Sequence, residues 1–180
     1  MAVRLAFWYS RDGLGDRLMF RLAYCNFGDH ESLEFRTSAH PRAPFLPQYG
    51  SQRSPGASPF VFQQGTIVDP NTDFWMGSIA MDRVGNIALG FSACSMDLDP
   101  SVELVGRVPT DALGSMQGPT NAVTGTGVQK SSFHRWGDYS SMAVDPKDDC
   151  TFWYTQKYYK TTGSFNWSTR ITAFKFNSCK

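Results

Sequence analysis

The feature that most constrains this chain is internal: residues 78–92 and 141–155 align on each other without a gap, 63 positions apart. The first stretch reads Ser78-Ile-Ala-Met-Asp82, then Arg-Val-Gly-Asn86, then Ile-Ala-Leu-Gly-Phe-Ser92. The second reads Ser141-Met-Ala-Val-Asp145, then Pro-Lys-Asp-Asp149, then Cys-Thr-Phe-Trp-Tyr-Thr155. Each is an alternating run, a turn of Gly, Asn and Asp, and a second alternating run. A side-chain period of two belongs to a strand, and the turn residues tolerate tight backbone geometry, so each copy predicts an antiparallel hairpin. The shared alanines mark where another sheet packs closely, and the apolar residues flanking them fill the opposite face.

The flanking sequence supplies further strands. Residues 2–10 and 17–27 alternate on either side of Asp12-Gly13, a strong hairpin signal, and a weaker strand follows at 32–36. Prolines at 41, 44, 47, 55 and 59 break the stretch 37–59, which reads as a long loop because proline removes a ladder donor. Order resumes with a strand at 60–68. Residues 101–108 give the first copy a third strand and 122–126 a fourth; residues 151–159 and 169–177 form the hairpin that gives the second copy its third. The expected architecture is all-β: a partial β-propeller of about three blades, each a four-stranded antiparallel sheet. Residues 1–68 would be a degraded first blade, 69–135 a second blade with a long loop, and 136–180 a last blade lacking its outer strand. Fewer than four blades leave open edges, so the expected partner is the remainder of the propeller or another chain covering them.

Composition narrows the function. Lysine and arginine total 17 against 16 acidic residues, a net charge of +1 that argues against nucleic acid or an anionic membrane as partner. No apolar run approaches the ~20 residues of a membrane span. The apolar amino end is interrupted by Arg4 and lacks a cleavage site, so an export signal would lie upstream of Met1. Of the four cysteines, Cys150 and Cys179 stand at nearly equal distances from a hairpin centre near Ser164, where a disulfide is possible; two reduced thiols are the alternative. Cys25 and Cys94 read as buried thiols, and the scattered His30, His40 and His134 offer no zinc spacing. No cofactor is implied.

Several segments resemble the carboxyl-terminal part of a family of exported bacterial β-propellers, described as sialidase-like or BNR-like and mostly uncharacterised. They are Trp75-Met-Gly-Ser-Ile-Ala-Met-Asp82, Gly85-Asn-Ile-Ala-Leu-Gly90, Arg135-Trp-Gly-Asp-Tyr-Ser140 and Asp148-Asp-Cys-Thr-Phe-Trp-Tyr154. The closing runs Thr162-Gly-Ser-Phe-Asn-Trp167 and Phe174-Lys-Phe-Asn-Ser-Cys179 belong with them, and Asp16-Arg-Leu-Met-Phe-Arg-Leu-Ala-Tyr24 and Asn26-Phe-Gly-Asp-His-Glu31 extend the match. The resemblance implies a secreted or periplasmic protein, and with it a Cys150–Cys179 bridge. Where such proteins carry a further strand, this chain has its proline-rich stretch.

The candidate sites divide by chemistry. A sialidase-type hydrolase needs an arginine cluster, a tyrosine with an acidic partner and an acid–base aspartate. Arg135, Asp138 and Tyr139 could supply them, with Arg107 and Glu103 in support, but the Ser-x-Asp-x-Gly-x-x-Trp box is absent. For binding, Trp136, Tyr159, Phe165 and Trp167 fall near loops, and aromatic faces there suit a carbohydrate or protein ligand. Phe152, Trp153, Tyr154 and Tyr158 read mostly as core. Asp145, Asp148 and Asp149 form an oxygen-rich turn without the spacing of a defined calcium loop, as do Asp97 and Asp99. Asp82 and Asp145 precede their turns and are expected to accept the turn's N–H groups. Gly125-Thr-Gly127 is too short to cradle a phosphate, and the Asn166-Trp-Ser168 sequon matters only in a eukaryotic secretory pathway. The balance favours a non-catalytic binding or scaffolding module, with a sialidase-like glycoside hydrolase whose site lies mostly upstream as the alternative.

Overall fold

The computed structural model describes strand segments 2–10, 17–25 and 33–37 as backbone, and residues 63–130, 136 and 139–180. Every regular element among them is a β-strand. Strand β1 (Ala2–Ser10) pairs antiparallel with β2 (Arg17–Cys25), Ala2 opposite Cys25 and Ser10 opposite Arg17. The alternation of both runs predicts this hairpin, while its Asp12-Gly13 turn lies outside the described residues. Strand β3 (Leu33–Thr37) pairs antiparallel with β4 (Gln63–Ile67), so the two ends of the proline-rich stretch meet; residues 38–62 lie outside the description.

Two larger antiparallel sheets follow in meander order. The first runs β5 (Asp73–Met81), β6 (Ile87–Cys94), β7 (Ser101–Arg107), β8 (Thr120–Val123). The second holds β9 (Ser141–Val144), β10 (Phe152–Tyr158) and β11 (Ser168–Phe174), with β10 central. The fourth strand of the first sheet begins two residues before its expected start at 122.

The two hairpins are equivalent, but the gap-free alignment is not the structural one. In the first, Met81 stands opposite Ile87; in the second, Val144 stands opposite Phe152, so the second turn is two residues longer. Ile87 therefore corresponds to Phe152, Ala88 to Trp153 and Gly90 to Thr155. The surplus is visible in how the turns are held. One carboxylate, Asp82, accepts the N–H groups of Val84 (3.0 Å) and Asn86 (2.9 Å) and the Asn86 amide (2.7 Å). In the longer turn two aspartates share the work: Asp145 accepts Lys147 N–H, and Asp148 accepts Cys150 N–H, Thr151 N–H and the Thr151 hydroxyl.

The sheets pack face to face. Ala88, Val102 and Leu104 of the first join Met142, Phe152, Tyr154 and Tyr158 of the second in one buried cluster. Burying side chains of this size removes them from water at a gain of ~1.5–3 kcal/mol each. The opposite face of the first sheet holds Ile79, Ile87, Leu89, Phe91, Ala93 and Val105, backed by Ile67, Leu98 and Met116. Close approach of the sheets depends on Gly90 and Gly106: a Cβ there would stand 2.5 Å from the rings of Tyr154 and Phe176 respectively.

Polar links fix the sheets to each other. A bulge between Trp75 and Ser78 puts Met76 at φ 53°, in the left-handed region that costs an L-residue about 1–2 kcal/mol. The turned Met76 carbonyl accepts the Ser140 hydroxyl (2.7 Å) and the buried Gln156 amide (3.0 Å), and Ser78 Oγ accepts Met142 N–H (2.8 Å). The tail straps over both turns: Ser178 donates to Asn86 Oδ1 (3.0 Å) and Arg83 to the Lys180 carbonyl. Cys150 and Cys179 form a disulfide, Cα atoms 5.6 Å apart and both enclosed. They are not opposite in the hairpin; continued, its register would set Cys150 against Phe176, and a turn closed by Cys179 N–H to the Phe176 carbonyl (3.0 Å) brings the second cysteine back. Such a bond persists in an oxidising compartment. Cys94, expected to be buried, is half-buried, and the Cys25 side chain lies outside the description.

Candidate functional site

Aromatic and polar side chains converge where the β10–β11 loop meets the segment joining the two sheets. That segment, residues 124–140, leaves the outer strand β8 and returns to β9, and its first part zips along the loop. Thr126 N–H donates to the Tyr159 carbonyl (3.0 Å), Gly163 N–H to Val128 (3.1 Å) and Lys130 N–H to Gly163 (2.9 Å). Gly127 sits against the Thr161 backbone and Gly125 against the Pro100 carbonyl, approaches that any Cβ would block. These contacts account for the Gly-Thr-Gly run without a ligand.

The zip encloses Tyr159. Expected near an exposed loop tip, its side chain is completely buried, and burial raises its hydroxyl pKa. The hydroxyl donates to Gln129 Oε1 (3.1 Å), and Trp136 packs against the ring at 5.5 Å. Trp136 in turn meets Trp75 edge-on at 5.4 Å, and its enclosed indole N–H has no acceptor among the described residues. Lys157 Nζ lies 4.6 Å from the Trp136 ring, 5.5 Å from Tyr159 and 5.6 Å from Trp167, and donates to Gln129 Oε1 (2.9 Å). Attraction to ring faces holds the ammonium among them. At the open side of this cage Trp167 is 52% exposed and meets the 70% exposed Phe165 edge-to-face at 6.5 Å. Asn166 between them is anchored by its amide on the Thr161 carbonyl (3.0 Å), so the two rings are carried on a braced loop.

Of the hydrolase candidates, the structure describes Tyr139, Glu103 and Arg107. Arg135 and Asp138 lie outside the described residues, as do the three histidines. Tyr139 is 88% exposed on the approach to β9. Glu103 and Arg107 extend from β7 on the face turned away from the second sheet, level with Phe91 and Ile87. Arg107 is buried and donates to the Asp111 carbonyl (2.8 Å). Burial, then the nearby Asp69 charge, raises the Glu103 pKa.

Of the calcium candidates, Asp145 and Asp148 have their carboxylate oxygens engaged by protein donors. Asp145 Oδ2 accepts the Trp153 indole N–H (3.1 Å), Asp148 Oδ2 accepts Lys175 (3.3 Å), and Asp149 takes a left-handed φ of 52° in the turn. Among the described residues no cluster of three His, Cys, Asp or Glu could hold a metal, and no helix is long and apolar enough to cross a membrane. The element that sequence reasoning passed over is Lys157 with Gln129: neither is distinctive alone, and only the chain's return past the loop unites them. Compared with protein-family models, with curated proteins and with solved structures, the chain matches none.

Proposed function

We propose that this chain belongs to an exported β-propeller and acts as a non-catalytic binding module through the end that carries Phe165, Trp167 and Lys157. The observation behind this is the braced pair of exposed rings beside a lysine held among aromatic faces. A saccharide ring offers what such a surface takes: an apolar C–H face for Trp167 and hydroxyls for the polar rim. Support for the propeller comes from the meander order of both sheets, from β5 and β9 being linked through Met76, Ser78 and Ser140, and from a connection that runs from an outer strand to the next first strand. The disulfide supports export.

The test is a glycan array probed with the 180-residue chain, followed by tryptophan-fluorescence titration of the best hit. Trp167→Ala and Phe165→Ala should each abolish saturation while leaving the thermal melt unchanged. Binding that survives both substitutions refutes this surface. Release of fluorophore from a sialoside would instead favour a glycoside hydrolase.

A further inference from the structure

We infer that the outer edge of β11, which pairs with no other described strand, is a strand-addition site for an extended peptide, paired antiparallel. Its occupant carries an acidic side chain opposite Arg170 and β-branched side chains opposite Ile171 and Thr169. The inference rests on the equivalence of the two sheets and not on the ligand taken by the aromatic end.

The equivalence follows from register. Gly90 stands opposite Leu104 in the first sheet, and its counterpart Thr155 stands opposite Ile171 in the second. Ile171 is therefore the counterpart of Leu104, Arg170 of Glu103 and Thr169 of Val102. In the first sheet those three β7 positions are covered by β8, with Thr120 opposite Leu104, Asn121 opposite Glu103 and Val123 opposite Val102. Among the described residues, β11 pairs with β10 alone.

The β11 edge is little protected against pairing. Its register with β10 is unbroken over seven residues, it contains no proline, and its one charge is Arg170. Ile171 is 62% exposed, and a side chain on an added strand would pack beside it on the same face. On the other face the exposed Arg170 guanidinium contacts Thr172 Oγ1 (3.4 Å), so a carboxylate opposite it would gain a charge-assisted hydrogen bond. In the first sheet, Val123 and Ala122 of β8 pack against the shared core in the corresponding way.

The probe is a labelled ten-residue peptide with the sequence of residues 117–126 carrying Asn121→Asp, added to the intact chain. Binding is expected to saturate and to slow amide exchange across residues 168–174. Proline in place of both the threonine and the valine that pair with β7 in the first sheet (positions 120 and 123) should weaken it about tenfold or more by deleting ladder hydrogen bonds. Arg170→Glu should weaken the acidic peptide and favour one with lysine at the same position, while the thermal melt stays unchanged. Absence of protection at 168–174, or equal binding of the proline peptide, overturns the inference. So does a dimer whose β11 amides are protected without peptide, since a second copy would then own the edge.

Discussion

Gly90→Ala tests whether the two sheets are held at their observed separation by one ring lying flat on one backbone. A Cβ at position 90 would stand 2.5 Å from Cε1 and Cζ of Tyr154 and 2.6 Å from Cδ1. Carbon atoms rest at about 3.5–4.0 Å, so the ring must retreat by roughly 1 Å. It has nowhere to go: Tyr154 is wholly enclosed, and its hydroxyl accepts the Gln156 amide at 3.1 Å. Overpacking of a tight core costs about 1–3 kcal/mol, and disturbing that hydrogen bond about 1 more, giving about 2–4 kcal/mol. Urea unfolding at neutral pH measures it, with an unchanged slope showing that the same surface unfolds. The decisive comparison is a double-mutant cycle with Tyr154→Val, which removes the ring. Tyr154→Val alone should destabilise, but adding Gly90→Ala to it should cost less than about 0.5 kcal/mol, the limit within which independent sites add. A wild-type midpoint for Gly90→Ala, or strictly additive penalties in the cycle, would refute the argument.

Other expectations follow from the turns and the strap. Cys150→Ala with Cys179→Ala opens a 29-residue loop and should cost about 3–4 kcal/mol of unfolding free energy in urea, with reductant reproducing most of the loss in the wild type. The N–H groups of Thr151 and Cys150, then the Thr151 hydroxyl and Lys175, hold the Asp148 carboxyl well below its ordinary value of 3.8. The stabilisation this brings is complete above that value and fades as pH falls toward the lowered one. The melting temperatures of wild type and Asp148→Ala should therefore differ by a constant amount at neutral pH and converge in acid below pH 3.8. Glu103 has the opposite sign: burial and Asp69 raise its pKa above 4.5, so folding favours its protonated form. Glu103→Gln should melt higher than wild type at pH 7, with the advantage vanishing below the ordinary carboxylate range; equal melting at pH 7 would contradict this reading.

Local pattern made much of the fold legible in advance. Alternation in residues 2–10, 17–27 and 151–159, and in the run that opens at Ser78, reads as strand because a pleated backbone has a side-chain period of two; the first half of β5, residues 73–77, does not show it. Asp82 before its turn is likewise a local matter, since its three partners lie within four residues. The Cys150–Cys179 pair was suggested by near-symmetry about a hairpin, although the bond is made by a tail turn outside the ladder.

Tertiary structure decided what local pattern could not distinguish. The two-residue difference between the hairpin turns is invisible to alternation, because an even shift returns every side chain to the same face; only the ladder reveals that Gly90 matches Thr155. The bulge at Met76 leaves no mark in the sequence, since its left-handed backbone is held by Ser140 and Gln156, 64 and 80 residues away. Tyr159 looks like a loop aromatic and becomes core because residues 126–130 return across it. The same return brings Gln129 to Lys157. Sequence by itself determined that the chain is a series of strands and roughly where most of them run, since that depends on neighbours a few positions apart. Which faces meet, which aromatics stay in water and where a binding surface can form depended on long-range packing, whose partners no local window contains.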